Sequence, residues 1–167
     1  MNLQKMIALF MDYCASKQLR LRTLQSYEQT LQLFARWLRD EMEIEDVEDV
    51  KEPHIRSYIV DLQKRGKYTF CVDDKSKATN HLQNRRDYRQ KVSNITINNY
   101  LRNLRVFFTW LEECDCMSEA FLQMAGVFSQ LELAMIRARV KSGMENAKAK
   151  GKKIGRRPTA KEDIPSN

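Results

Sequence analysis

The sequence predicts an all-α protein: a four-helix bundle with a basic loop or hairpin insertion, then one long C-terminal helix and a flexible basic tail. Apolar residues recur every three or four positions in five segments, which is the helical period. The 167 residues include only 5 Gly and 3 Pro, so helix breakers are few. No apolar run approaches the roughly 18 residues of a membrane span, so we expect no membrane partner.

Three helices are predicted in the first part of the chain. The first covers about residues 3–17. Thr23 stands where an N-cap belongs and predicts a second helix over about 24–42. The apolar face of that second helix consists of Leu24, Tyr27, Leu31, Phe34, Ala35 and Leu38. Pro53 suits the first turn of a third helix, which we expect to end near Gly66.

Residues 67–93 have no sustained apolar period. The stretch "KYTFCV" at their start could form a short strand, and the remainder predicts a long basic loop or hairpin, either functional or disordered. If this insertion binds a ligand, its cations would meet phosphates. These cations, with two just before the insertion, are Lys64, Arg65, Lys67, Arg85, Arg86, Arg89 and Lys91.

Two more helices are predicted after the insertion. The fourth opens near Ser93, and its apolar face consists of Ile97, Leu101, Leu104, Phe108 and Leu111. A different face of that helix carries Asn98, Arg102 and Arg105 at i, i+4 and i+7. The fifth helix is long, from about Ser118 to Lys150. Its apolar stripe consists of Phe121, Met124, Phe128, Leu131 and Met135.

The net charge of +7 is unevenly distributed. Residues 1–116 hold 19 basic and 17 acidic side chains, and eight of those acids lie between Asp40 and Glu52. Residues 117–167 hold 10 basic and 5 acidic side chains. Segregated positive charge with a pI near 9.3 favours a polyanionic partner. The alternative is that the basic surface only keeps the protein in solution.

The cysteines indicate a reducing compartment. The four of them, Cys14, Cys71, Cys114 and Cys116, show no disulfide framework, so we expect a cytoplasmic protein. A zinc site from Cys71, His81, Cys114 and Cys116 can be drawn, but it lacks a recurrent ligand spacing. The sequence therefore predicts no metal and no other cofactor.

The stretches "RTLQSYEQTLQLFARWL" and, later, "ITINNYLRNLRVFFTWLEE" resemble the N-terminal core-binding domain of tyrosine recombinases, the phage and conjugative-transposon integrases. The resemblance covers about residues 1–116. It implies a SAM-like helical bundle that clamps one face of double-stranded DNA, with its second and fourth helices against the duplex.

Carried onto this chain, that resemblance implies DNA contacts from both helices. The candidates are Thr23, Gln25, Tyr27, Thr96, Asn98, Asn99, Arg102 and Arg105. Short hydroxyl and amide side chains at helix N-termini hold phosphates, while Arg holds phosphates or reads guanine. The structural alternatives are a core position for Tyr27 and simple helix caps for Thr23 and Thr96.

The end of the chain, "SEAFLQMAGVFSQLELAMIRARVKSGMENAKAKGKKIGRRP", resembles the long helix and hinge that close the catalytic domain of serine recombinases, the resolvases and invertases. It departs from that family at Leu133, where an Arg is frequent, and at Ala138, where an acid is frequent. The resemblance implies a helix that packs against a partner subunit and then crosses the minor groove. The implied DNA contacts are Arg137, Arg139, Lys141, Lys150, Lys152, Lys153, Arg156 and Arg157. A solvated or frayed tail is the alternative.

Two unrelated recombinase families thus meet in one chain, which suggests a hybrid joined between about Cys114 and Glu119. The expected organisation is a DNA-binding domain at 1–116 with its insertion at 67–93, a resolvase-like helix at 117–150 and a basic hinge or tail at 151–167.

Neither family's catalytic chemistry is expected here. A tyrosine recombinase needs an H-x-x-R signature in a later domain, and the sequence has none, since His54 is followed directly by Ile55 and Arg56. A serine recombinase needs a βαβ domain before the long helix. We therefore expect no strand cleavage and no enzyme activity.

The function predicted from the sequence is that of a DNA-binding module of a site-specific recombinase or integrase, a truncated hybrid without its own catalytic domain. The alternative is an interaction protein, in which the helix at 118–140 self-associates or pairs with a recombinase subunit. That helix could instead fold back on the bundle, and the chain could be a relic with no role.

Overall fold

The computed structural model describes residues 1–72, 81–114 and 120–152, except for the side chains of 120–125. Over these residues the protein is all-α, as predicted. The helices are α1 (Leu3–Ser16), α2 (Leu21–Met42), α3 (Glu52–Lys64), α4 (Asn94–Glu113) and α5 (Ala120–Ala149), with short 3-10 turns at Val47–Asp49 and Leu82–Asn84. Among the described helices, none combines the length and apolarity that crossing a membrane requires.

Side chains just before the helices define where α1 and α4 begin. The Asn2 side-chain oxygen accepts hydrogen bonds from the backbone N–H groups of Gln4 and Lys5, at 3.0 and 3.3 Å. Ser93 Oγ accepts one from the Thr96 N–H at 3.2 Å. Each cap satisfies backbone donors that the first helical turn leaves without partners.

The start of α2 differs from the prediction. The helix begins at Leu21, and Thr23 lies inside its first turn, so Thr23 is not the N-cap. The carbonyl oxygen of Arg20 accepts hydrogen bonds from the N–H groups of Thr23 and Leu24, at 2.8 and 3.2 Å. Because the backbone turn starts three residues earlier, no hydroxyl cap is needed.

Aromatic side chains join the four bundle helices. The Phe10 ring of α1 lies 5.3 Å from the Phe107 ring of α4, between centroids. The Phe34 ring of α2 lies 5.0 Å from Tyr58 of α3 and 6.2 Å from Phe108 of α4. All five rings are at most 1% exposed, so they supply much of the apolar burial that stabilises the bundle.

The first part of α5 belongs to the same compact unit, which spans Met1–Glu132, while a second unit comprises Leu133–Asn167. Phe128 is 1% exposed, and its ring centroid lies 5.9 Å from that of Phe108. Arg56 donates a hydrogen bond to the Gln130 side-chain oxygen at 3.3 Å. Of the two alternatives for this helix, an interaction surface or packing back on the bundle, Phe128 follows the second. The side chains of Phe121 and Met124 lie outside the described residues.

The segment "KYTFCV" is irregular and not a strand. Its only backbone pairing with the far side of the insertion, within the described residues, joins Lys67 N–H to the Gln90 carbonyl at 2.8 Å and Arg89 N–H to the Lys67 carbonyl at 3.0 Å. Gly66 sits at the crossing with φ of +78°, and a Cβ there would lie 2.7 Å from the Arg89 carbonyl oxygen. Only glycine allows the two backbones to approach this closely.

Arg65 anchors the insertion to the bundle. Its guanidinium lies 4.6 Å from the Phe70 ring centroid and 5.6 Å from that of Tyr58. It also forms an ion pair with Asp61 at 3.1 Å. The prediction that Arg65 meets phosphates is not met by this geometry, because its charge is already held by two rings and a carboxylate.

We expect Phe128→Ala to destabilise the bundle by about 3 kcal/mol, because a fully buried aromatic side chain leaves a cavity when truncated. Leu133→Ala, on the same helix but at a residue 47% exposed, should change the free energy of unfolding by less than about 0.5 kcal/mol. Urea denaturation of both variants measures the difference. Equal, small effects would show that the start of α5 is not part of the cooperative bundle.

Candidate nucleic-acid interface

A buried amide holds α4 against α2. The Asn103 side-chain nitrogen donates to the Ser26 carbonyl oxygen, the Ser26 hydroxyl and the Thr30 hydroxyl, at 3.1, 3.0 and 2.9 Å. Asn103 is 6% exposed and Thr30 is 1% exposed. Because a displaced helix would leave the buried Asn103 amide without acceptors, the contact restricts the register of α4 on α2. Sequence reasoning missed Asn103, although an Asn between Leu101 and Leu104 was the available signal.

The outer face of α4 carries most of its candidate DNA contacts. Asn99, Arg102 and Arg105 are exposed, and Asn98 beside them is half-buried. The Asn98 side-chain oxygen is itself buried and makes no hydrogen bond within the described part of the chain. We call Asn98, Asn99, Arg102 and Arg105 the α4 face, and helical spacing places them together as predicted.

Thr96 lies elsewhere on α4. Its hydroxyl oxygen is 2.9 Å from the Ser93 hydroxyl, and its backbone N–H is capped by the same serine. Thr96 also lines a cavity with Gln29 of α2, away from the α4 face. Thr96, which the family resemblance proposed as a DNA contact alongside Arg102, therefore lies on a different side of α4.

The α2 candidates differ in accessibility. Gln25 is exposed, while Thr23 and Tyr27 are half-buried. The Tyr27 ring packs 5.7 Å from the Phe10 ring, between centroids. Burial raises the pKa of the Tyr27 hydroxyl, and the nearby Arg102 guanidinium opposes that shift. Tyr27 is thus a partial core residue whose edge lies close to the α4 face.

Glu132 of α5 forms an ion pair with one cation of the α4 face. Its carboxylate accepts a hydrogen bond from Arg105 Nη1 at 3.0 Å, with Arg105 49% and Glu132 28% exposed. An exposed ion pair of this kind contributes little to stability, yet it neutralises the Arg105 charge locally. Sequence reasoning missed the pair because the partners lie 27 residues apart.

The second unit presents cations along α5. Arg137, Arg139, Lys141, Lys150 and Lys152 are all exposed. The remaining candidates Lys153, Arg156 and Arg157 lie outside the described residues.

A second apolar stripe on α5, absent from the sequence-based prediction, is also exposed. Leu133, Ile136, Val140 and Met144 follow one another at three- and four-residue spacing and are 47%, 49%, 53% and 42% exposed. Helical spacing places Arg137, Lys141 and Lys148 along one side of this stripe and Arg139 along the other. An apolar stripe flanked by cations can pack against another helix or lie near a polyanion.

The described residues include no group of three or more His, Cys, Asp or Glu side chains that could hold a metal ion. Cys14 and Cys71 carry free thiols. Cys116, the fourth member of the zinc site that the sequence made conceivable, lies outside the described residues.

Comparison with protein families finds two adjoining matches. Residues 7–81 match the phage integrase N-terminal SAM-like domain, and residues 83–153 match the resolvase N-terminal domain. Both resemblances stated from the sequence are confirmed, and they relate the chain to site-specific recombinases. No curated protein and no solved structure matches.

The two matches meet inside the insertion, so α4 falls in the range matched by the resolvase domain. In the structure, α4 packs against α2 and α1 in the same compact unit. The limits of a sequence match and of a folded unit therefore differ here. The junction predicted between Cys114 and Glu119 falls largely on residues outside the described part of the chain.

Proposed function

We propose that this chain is a module of a site-specific recombinase that binds duplex DNA through the α4 face. The observation that carries the proposal is Arg102, an exposed guanidinium beside the exposed amide of Asn99 on a helix that a buried amide holds in register. Guanidinium and amide groups on a rigid helix suit contacts to phosphate oxygens or to base edges. The integrase-type match over residues 7–81 supports duplex DNA as the polyanion.

In this proposal the cations of α5 add a second contribution to DNA affinity, one that does not depend on the DNA sequence. Lys and Arg side chains that approach phosphates release condensed counterions, so each contact adds about 0.9 to the slope of affinity against salt on a log–log scale. We also propose that the chain acts by binding and not by cutting, as a hybrid of two recombinase segments in a reducing cytoplasm.

Arg102→Gln should weaken binding to a random-sequence duplex and lower the salt slope by about 1, because one phosphate contact is lost. Lys5→Gln, which removes the same charge from an exposed position on α1, is the matched control and should leave the slope unchanged. Fluorescence anisotropy at several salt concentrations measures both. On denaturing gels, the same incubations should show no covalent protein–DNA adduct.

Equal effects of Arg102→Gln and Lys5→Gln would contradict a specific role for the α4 face. If only neutralising Arg137, Arg139 and Lys141 together abolishes binding, the function lies in α5. A covalent adduct on the denaturing gel would contradict the binding-only part of the proposal.

Glu132→Gln should strengthen duplex binding and steepen its salt dependence, because Arg105 is released from its carboxylate partner. Glu145→Gln removes the same charge from an exposed position on the same helix. The deciding measurement is a double-mutant cycle: in an Arg105→Gln background, Glu132→Gln should have no effect while Glu145→Gln keeps whatever effect it has. A Glu132→Gln effect that persists without Arg105 would refute direct competition between Glu132 and DNA.

Self-association is a second candidate function, favoured by the exposed stripe of Leu133, Ile136, Val140 and Met144. If two copies pair through this stripe, Ile136→Lys should shift the full chain to monomers in sedimentation-velocity experiments. Lys141→Gln, a charge change beside the stripe, is the control. A wild-type chain that sediments as a monomer at all concentrations would exclude this function.

A further inference from the structure

A cavity of about 580 Å³ lies between α2, the end of α3, the insertion and the start of α4. This volume falls within the roughly 300–1,000 Å³ typical of small-ligand sites. The described residues that line the cavity all belong to the first compact unit. Neither the family matches nor duplex binding by the α4 face accounts for it.

The wall formed by the insertion is held by contacts of its own. Gly66 brings two backbone segments into direct contact, and the Thr69 hydroxyl donates to the carbonyl oxygens of Arg65 and Gly66, at 3.0 Å each. Arg65 ties this wall to the bundle through Phe70, Tyr58 and Asp61. The described part of the cavity is therefore shaped before any ligand arrives.

The cavity is cationic. Arg65, Lys67 and Arg85 line it, and the described residues that line it include no Asp or Glu. Asp61 neutralises Arg65, and Asp87 lies 3.4 Å from the Lys67 ammonium group. Within the described residues no carboxylate pairs with Arg85, whose guanidinium lies 4.5 Å from the Tyr68 ring centroid. Arg85 is thus the cation best placed to receive an anion.

The cavity is also lined by aromatic side chains. Tyr68, Phe70 and Tyr100 contribute aromatic rings from two sides, the insertion and α4. Aromatic side chains stack on nucleic-acid bases of any sequence, and an adjacent guanidinium can hold the attached phosphate. A ligand that is both aromatic and anionic uses both kinds of surface, whereas a simple anion uses only Arg85.

We propose that this cavity binds one nucleotide unit, with its base against the aromatic rings and its phosphate at Arg85. The unit could be a free nucleoside monophosphate or an unpaired nucleotide of a DNA strand. Gln29 of α2 and Thr96 of α4 line the same cavity. They belong to the two helices that carry the candidate duplex contacts.

The first experiment titrates the full chain with AMP, adenosine and inorganic phosphate by calorimetry. AMP should bind, and adenosine and phosphate should each bind at least about tenfold more weakly. Adenosine has no phosphate for Arg85, and phosphate has no base for the aromatic rings. Arg85→Gln should weaken AMP binding about tenfold. Arg86→Gln removes the same charge from the next residue, which is exposed and does not line the cavity, and should leave AMP binding unchanged. Circular dichroism and thermal melting verify that both variants fold.

The second experiment identifies the source of the nucleotide. A blunt duplex and the same duplex with a short single-stranded overhang are compared for the wild type and both variants. A preference for the overhang that Arg85→Gln removes and Arg86→Gln retains assigns the site to an unpaired nucleotide of a strand. AMP binding without an overhang preference assigns it to a free nucleotide.

Three outcomes overturn the proposal. They are equal binding of phosphate and AMP, equal losses in Arg85→Gln and Arg86→Gln, and the absence of both AMP binding and an overhang preference. Failure of the duplex-binding function has a separate signature, which is loss of blunt-duplex binding or its insensitivity to Arg102→Gln.

Discussion

The contact between Asn103 and the Ser26–Thr30 turn of α2 is the constraint on which the candidate interface depends. A buried amide without partners is costly, so α4 is restricted to the register in which Asn103 reaches all three acceptors. Arg102 precedes Asn103 in sequence and points away from the buried side of the helix, where it is exposed. The position of the exposed guanidinium therefore follows from the buried hydrogen bonds of its neighbour. Apolar packing alone would restrict the helix less, because hydrophobic contacts are not directional.

The first part of α5 packs on the bundle through two kinds of contact. Phe128 places its ring against Phe108, and Glu132, one turn further along α5, reaches Arg105. Apolar burial and charge pairing thus act on the same stretch of helix. The consequence is that a residue of α5 covers a candidate DNA contact carried by α4. Binding of a phosphate to Arg105 then competes with an interaction inside the protein.

The basic residues in and just before the insertion serve different purposes. Arg65 is 14% exposed, and its charge is held by Asp61 and two aromatic rings. Arg85, Arg86 and Arg89, which lie within the insertion, are exposed. Positive charge in a sequence indicates an anionic partner, but only the fold shows which cations are already paired within the protein. Here that distinction separates a structural anchor from the cation that faces the cavity.

The sequence by itself determined the helices, because apolar periodicity and local caps are properties of neighbouring residues. It placed α1, α3 and α4 within a residue or two of their observed limits, and its two family resemblances are confirmed. It also placed the α4 face correctly on one side of its helix, since helical spacing alone groups Asn98, Arg102 and Arg105.

The tertiary structure decided which groups are available. It buried Phe128, held Arg65 between two rings, paired Arg105 with Glu132 and placed Thr96 at the edge of a cavity. The Arg20 carbonyl, and not the Thr23 hydroxyl, set the start of α2. The burial of Phe128 and the contact of Arg105 depend on partners distant in sequence. Periodicity carries no information about such partners, so packing alone determined which predicted contacts remain exposed.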